Sequence, residues 1–379
     1  MKLALVTETF PPEINGVAMT FGVIARELGL RKHEVTVYRP WRPDLALADG
    51  HPEYCEVTLP GLPVPGYPLL RFGLPARRRL IKCWRLARPD LVHVATEGPL
   101  GASAVSAARA LRLPVTSSFH TNFHLYTRHY GFAPLRRVTV AWLRHVHNRT
   151  LRTFAPTEEL CQELSVLGFT NLGVLSRGID LRHFSPAQRS PAIRARWGAG
   201  NDEPVVLHVG RMAAEKNYQL LFRAYDAMRA ANPLLRFVLA GEGPLKPRLQ
   251  RDYRDCIFAG IFSREEIGRH YASADIYIHA SLTETFGNVV TEAMASGLAF
   301  ASFDYAATRQ FVRHGENGLA VPRNDPQALI AAATELARDG ALRDRLRAGA
   351  ATSFRSHSWA KVILAFEADL LAIVAASPP

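Results

Sequence analysis

The feature that most narrows what this chain can fold into is an alternation that runs through it twice. Short β-branched and apolar runs at residues 3–6, 35–38, 91–95 and 115–118, with weaker ones at 153–155 and 172–175, are separated by longer amphipathic or turn-rich stretches. The pattern loosens over residues 184–204, where Pro186, Pro191 and a Gly-Ala-Gly-Asn-Asp run fall. It then restarts, with strand-like runs at 205–209, 236–240, 257–260, 275–279 and 299–303. Tyr218, Leu221, Phe222, Tyr225 and Met228 recur at helical spacing and predict an amphipathic helix over 218–230. Parallel strands need long crossovers, usually helical, so a repeated strand–helix order predicts parallel sheets covered on both faces. At 379 residues the chain exceeds one hydrophobic core. The expectation is an α/β chain of two doubly wound, Rossmann-like domains facing each other across a cleft. Their bounds are residues 1–184 and 185–356, with a last helix at about 357–379 packing back on the first domain.

Composition adds compartment and charge. A chain with 48% hydrophobic and 21% charged residues is that of an ordinary globular protein. The start, MKLALVTETF, breaks after four apolar residues and suits a first buried strand better than a signal sequence. No apolar run approaches the roughly 18–20 residues of a membrane span. Cys55, Cys83, Cys161 and Cys256 lie far apart without paired spacing, which argues against a zinc site or disulfide framework and for a reducing cytoplasm. The formal net charge of +12 is uneven: residues 1–190 hold 24 Lys and Arg against 14 Asp and Glu. Residues 57–89 contain seven basic residues and no acid, and residues 98–157 contain eight arginines and no acid. Such a field attracts anions, although it also serves simply to keep a protein in solution.

The stretch 281–297, SLTETFGNVVTEAMASG, holds two candidate chemical groups. Glu284 and Glu292 are separated by seven residues, and between them Phe286-Gly287-Asn288 leads into a helix-like run. A strand, a short glycine-containing loop and a helix N-terminus follow one another here, the layout with which α/β proteins hold a phosphate. The amides of Phe286, Gly287, Asn288 and Val289 would be first-turn donors without an intrahelical partner. Spacing alone leaves the carboxylates open as an acid–base pair, a metal pair, helix-start residues or ligands for ribose hydroxyls. Earlier, Gly210-Arg211 follows the 205–209 run and Glu215-Lys216 opens the next helix, placing two cations where a diphosphate could be neutralised.

Those motifs, with Ala240-Gly241-Glu242-Gly243-Pro244 and Asn15-Gly16-Val17, occur in an order that resembles the retaining glycosyltransferases of the GT-B fold, family 4 (group 1). The resemblance runs from Leu3 to about Trp359. More narrowly, residues 94–101 (VATEGPLG) and 118–126 (SFHTNFHLY) resemble the lipid-directed mannosyl-, glucosyl- and sulfoquinovosyltransferases, many of them GDP-mannose-dependent α-mannosyltransferases. The resemblance implies that Glu292 holds the ribose of a nucleotide sugar and that Glu284 contacts its sugar. It implies that Arg211 and Lys216 bind the diphosphate and stabilise the leaving group. Gly16 would bring its backbone against the phosphates, and His120 would contact the donor sugar near the reacting centre. The implied reaction is a metal-independent hexose transfer with retention, using a nucleotide-diphosphate sugar as co-substrate and no cofactor. No Asp-x-Asp metal motif occurs. GDP-mannose is the expected donor and UDP-glucose the second choice, with a membrane lipid or glycolipid as acceptor. His124 and His129 are expected at the surface or on the acceptor side.

The chain also departs from the family pattern. Asp304-Tyr305-Ala306-Ala307 stands where a glycine pair is common, Ala280 replaces a proline, and Asn217 replaces a frequent glycine. In residues 75–88, Leu80, Ile81, Trp84 and Ala87 share one helical face opposite Arg78, Lys82 and Arg85. Arg78, Lys82, Trp84 and Arg85 are therefore candidates for contact with an anionic membrane surface, peripheral on the cytoplasmic face, although a helix packed on a sheet has the same pattern. Residues 136–149, with Val140, Trp142, Leu143 and Val146, form a second candidate. No nucleic-acid module is recognisable, so no nucleic-acid partner is expected. Rival readings are a sugar-nucleotide epimerase or a phosphorylase on a similar frame, and a non-enzymatic basic adaptor for membranes or nucleic acid.

Overall fold

The computed structural model describes residues 1–13, 15–42, 51–64, 67–120, 135–200, 203–355 and 357–377. The chain divides into two compact units, Met1–Arg177 with Ala360–Pro379, and Gly178–Trp359.

The first unit contains β1 (Lys2–Val6), β2 (Glu34–Pro40), β3 (Cys55–Leu59), the hairpin strands β4 (Gly61–Val64) and β5 (Tyr67–Gly73), β6 (Leu91–Val94), β7 (Val115–Ser118), β8 (Arg152–Ala155) and β9 (Leu172–Val174). Seven of them form one sheet in the order β3-β2-β1-β6-β7-β8-β9, every pairing parallel. Both faces are covered, which is why Leu3, Ala4, Leu5 and Val6 are all buried. His93 in β6 is buried too, but both ring nitrogens are matched, Nδ1 to Thr116 Oγ1 at 2.9 Å and Nε2 to Ser118 Oγ at 3.0 Å. Burial pushes its pKa down to about 3, so it is a neutral, structural histidine. The last helix, Trp359–Ala376, lays Phe366 against His93 and Phe154, with ring centroids 5.3 and 5.1 Å apart. Its Glu367 carboxylate accepts from Arg31 Nε at 2.7 Å and lies 2.6 Å from His33 Nε2.

The second unit contains β10 (Val205–Val209), β11 (Arg236–Ala240), β12 (Ile257–Gly260), β13 (Ile276–His279), β14 (Ala299–Phe303) and β15 (Leu319–Val321), in the parallel order β12-β11-β10-β13-β14-β15. The helix Tyr218–Ala231 buries Tyr218, Leu221, Phe222, Tyr225 and Met228, the face its spacing predicts. Asp275, just before β13, accepts from Arg189 and Arg194 at 2.8 Å each and from the Val205 amide at 2.9 Å. The carboxylate thereby pins the start of β13 to β10. Several elements went unanticipated. One is β15, whose three residues are too few for a period. Others are the helices Arg264–Ser273, Pro326–Arg338 and Gly340–Ser353, the first although its capping box, Ser263 with Glu266, is written in the sequence.

The membrane-contact expectation for Trp84 is corrected. In the helix Arg77–Leu86, Leu80 and Trp84 are buried in the first unit's core, with Trp84 edge-on to Tyr38 at 6.0 Å. The apolar face is covered by the helix Pro99–Ala110 and by Tyr38 of β2, so it is not available to a bilayer. Arg78, Lys82 and Arg85 remain exposed. The second candidate is the helix Leu135–His147; it buries Leu143 and leaves Val138 66% and Trp142 49% exposed.

Candidate functional site

In each sheet the strand order reverses once, between β1 and β6 in the first unit and between β10 and β13 in the second. Loops leaving the carboxyl ends of the strands diverge at such a point, and open α/β sheets bind ligands there. In the second unit the two loops are tied together. Residues 214–216 make a single tight turn ended by Asn217 in the left-handed conformation, φ 54°. Asn217 Nδ2 donates to the Ala280 carbonyl and Ser281 Oγ to the Glu215 carbonyl, both at 3.3 Å. Lys216 and Glu284 meet as a result, Nζ to Oε1 at 2.5 Å, with side chains only 19% and 14% exposed. His279 Nε2, at the end of β13, lies 3.6 Å from the same carboxylate oxygen. Burial acts against the Glu284 anion, but Lys216, His279 and a hydrogen bond from Ser281 outweigh it and hold its pKa below the usual carboxylate range. Burial drives the His279 pKa down to about 4, against the raising influence of Glu284.

The following helix, Asn288–Ala295, starts from Gly287 at φ 90°, a conformation that favours glycine, and that N-cap residue has no side chain to offer the first turn. Glu292, one turn in, accepts from Tyr271 Oη at 3.2 Å. Burial raises its pKa, against the lowering influence of Arg264 and of the tyrosine. Phe286 is buried against Phe311, and its carbonyl accepts from the Ala307 amide at 2.9 Å, so its ring is core and only its backbone faces the loop. Val289 packs on the same core cluster, while the Asn288 carbonyl accepts from Thr291 Oγ1 at 2.8 Å. Arg211, just after β10, is exposed. Thus Lys216, Glu284, Glu292 and the first turn of this helix come from one edge of one sheet.

At the corresponding edge of the first unit, Gly16 is the first residue of the helix Gly16–Leu30, capped by Asn15 Oδ1, which accepts from the Val17 and Ala18 amides at 3.1 and 2.9 Å. His120 follows β7, is buried edge-on to Phe21 at 5.3 Å, and has neither ring nitrogen hydrogen-bonded among the described residues. Burial first, then Arg177, His93 and His147, holds its pKa well below normal. The unmatched ring contrasts with the fully matched His93. His124 and His129 lie outside the described residues.

Glu97, two residues beyond Ala95 at the end of β6, was not singled out from the sequence. It is 3% exposed and neither carboxyl oxygen has a partner among the described residues. Burial, with Glu8 nearby, pushes its pKa up to about 8. Glu8, also missed, accepts from the Leu100 amide at 2.9 Å and from the Gly73 amide, yet burial still lifts it to about 7. No spacing rule reports a buried carboxyl; only its place beyond a central strand could have drawn attention to it.

Two family descriptions match the chain: Glycosyltransferase Family 4 over residues 14–183 and Glycosyl transferases group 1 over residues 203–339. The chain is 30% identical over 377 residues to a GDP-mannose-dependent alpha-mannosyltransferase of Corynebacterium glutamicum, covering 98% of this chain and 90% of that one. It is 27% identical to the alpha-monoglucosyldiacylglycerol synthase of Acholeplasma laidlawii, covering 86% of each. The solved sucrose-phosphate synthase of Thermosynechococcus elongatus superimposes with a TM-score of 0.81 at 18% identity, over 100% of both chains. Two parallel Rossmann-like sheets, joined to similarity over nearly the whole length, make this chain a member of glycosyltransferase family 4, a hexosyltransferase of the GT-B fold.

Proposed function

We propose that the protein moves a hexose from a nucleoside-diphosphate donor to a membrane lipid or glycolipid, with retention of configuration. Mannose from GDP-mannose is the first choice, and glucose from UDP-glucose the second. The observation that carries the reading is the Lys216–Glu284 contact, 2.5 Å long, beside a helix N-terminus that opens from Gly287 at positive φ. A diphosphate entering here takes Lys216 in exchange for Glu284 and adds Arg211 and the amides of Gly287, Asn288 and Val289. Glu284 is then free to accept hydrogen bonds from sugar hydroxyls, and Glu292 from the ribose. As the anomeric C–O bond breaks, negative charge grows on the leaving diphosphate, where these fixed positive groups stabilise it without a metal. The acceptor hydroxyl adds on the same face and gives its proton to the leaving oxygen. Gly16 and His120 serve the phosphates and the donor sugar from the first unit. A neutral His120 suits that place, because it adds no charge beside the reacting centre.

The names of the mannosyltransferase and diacylglycerol-synthase relatives support the donor and the lipid acceptor. Exposed Val138 and Trp142, one helical turn apart beside basic residues, support peripheral contact with a membrane. No helix among the described residues is long and apolar enough to cross one.

The test is nucleotide release from GDP-mannose or UDP-glucose, with and without total bacterial lipid. Lipid-dependent release is expected. Release without any acceptor, release that requires inorganic phosphate, or none above background for every donor would overturn the reading. Glu292→Ala is expected to weaken donor binding about tenfold or more, since it removes hydrogen bonds between a carboxylate and the ligand. Unchanged affinity in calorimetry would remove its ribose role.

A further inference from the structure

The first unit has a second concave site, at the edge of its sheet away from Gly16 and His120. A cavity of about 560 Å³ lies at the starts of β7 and β8, lined by Leu113, Pro114 and Val115 on one side and Leu151 on the other. Gly16 and His120, by contrast, follow strand carboxyl ends. Four arginines, Arg77, Arg109, Arg112 and Arg149, reach the cavity from different elements, and among the described residues no acidic side chain lines it.

The arginines are partly held in place. Arg77 Nε donates to Ser106 Oγ at 3.0 Å, Arg109 Nη1 to the Arg149 carbonyl at 3.3 Å, and Arg149 Nη1 lies 2.8 Å from His145 Nε2. Two of these partners, the Ser106 hydroxyl and the Arg149 carbonyl, carry no charge. None of the four forms an ion pair among the described residues, whereas Arg31, Arg39, Arg42 and Arg152 in the same unit each find a carboxylate. The end of the helix Pro99–Ala110 carries partial negative charge beside Arg109 and Arg112, about half a unit, which leaves most of the guanidinium charge uncompensated. Converging like charges raise the energy of the empty site, and an anion relieves it. Guanidinium forks match the oxygens of a phosphate group, and the volume exceeds what one phosphate needs.

We propose that this cavity is a binding site for a phosphate-bearing anion larger than orthophosphate, separate from the transfer site. Two sources share that chemistry, an anionic phospholipid headgroup and a soluble polyphosphate. The test measures calorimetric binding of inorganic pyrophosphate and co-sedimentation with phosphatidylcholine vesicles, with and without 30% phosphatidylglycerol. The wild type is compared with Arg109→Ala/Arg149→Ala and with Arg112→Glu, which changes an exposed residue and keeps the test open should the double variant fail to fold.

A tenfold or greater loss of binding to phosphatidylglycerol vesicles in the variants assigns the site to lipid. The same loss for pyrophosphate, with vesicle binding unchanged, assigns it to a soluble anion. Arg78→Ala/Lys82→Ala, outside the cavity, should leave pyrophosphate binding unchanged. The proposal is overturned if neither probe binds the wild type, if folded Arg112→Glu binds both as the wild type does, or if Arg78→Ala/Lys82→Ala weakens pyrophosphate binding as much as the cavity variants do.

Discussion

Single residues carry local costs that the surrounding fold sustains. Ala306 holds φ at 50°, a left-handed value disfavoured for a residue with a Cβ. A glycine would adopt this backbone without that cost. Its neighbours show what is gained: Tyr305 Oη donates to the Ser281 carbonyl at 2.8 Å and the Ala307 amide to the Phe286 carbonyl at 2.9 Å, bracing the loop that carries Glu284. Ala306→Gly should therefore raise stability by roughly 0.5–1 kcal/mol, the relieved strain less the added freedom of the unfolded chain, read from the urea midpoint. Glu97 gives a pH signature. Its folded pKa of about 8 lies above the 4.5 of an exposed glutamate, so between those values the native state binds the extra proton. Stability from this group is then fully present below pH 4.5 and is lost as pH rises toward 8. Glu97→Gln should be more stable than the wild type by a margin that widens from pH 5 to pH 8; a constant margin in thermal melts would show that the carboxyl is not held protonated.

At the scale of elements, helix starts decide the site more than helix bodies do. The helix Asn288–Ala295 places Glu292 and its first-turn amides only because Gly287 turns the chain at positive φ. A Cβ at Gly287 would meet Val290 and Glu284 at 3.5 and 3.6 Å, ordinary contacts, so Gly287→Ala should fail through backbone strain and not through a clash. The expected cost is roughly 1–2 kcal/mol of stability. A shifted first turn should also weaken donor binding, whereas an equal Kd for nucleotide in wild type and variant would show that those amides are unused. The helix Arg77–Leu86 teaches the converse. Its amphipathic period was legible, but a period names a face and not the partner of that face. Trp84 proved to be core because the helix Pro99–Ala110 and Tyr38 were there to cover it.

Across the whole molecule, the chain ends where it began: residues 360–379 belong to the same compact unit as residues 1–177. Phe366, 2% exposed, closes the face formed by His93 and Phe154. Phe366→Ala should destabilise the first unit by about 3–5 kcal/mol, the usual cost of emptying a core phenylalanine site. Loss of the first unit's signal at lower denaturant than the second's would show it. Much of this architecture was readable in advance. The strand–helix alternation and the 218–230 helix depend on local periodicity and turn chemistry, which sequence carries directly. The glutamate spacing and the Gly210-Arg211 and Glu215-Lys216 pairs were visible as types of residue at the right ends of strands. What no local rule could supply was pairing. Lys216 and Glu284 stand 68 positions apart and meet only because β10 and β13 became neighbours. Glu97, without a partner among the described residues, and His93, fully matched, are equally silent in the sequence. Burial and hydrogen bonding are set by what the rest of the chain brings alongside, and that is decided only when the sheets are assembled.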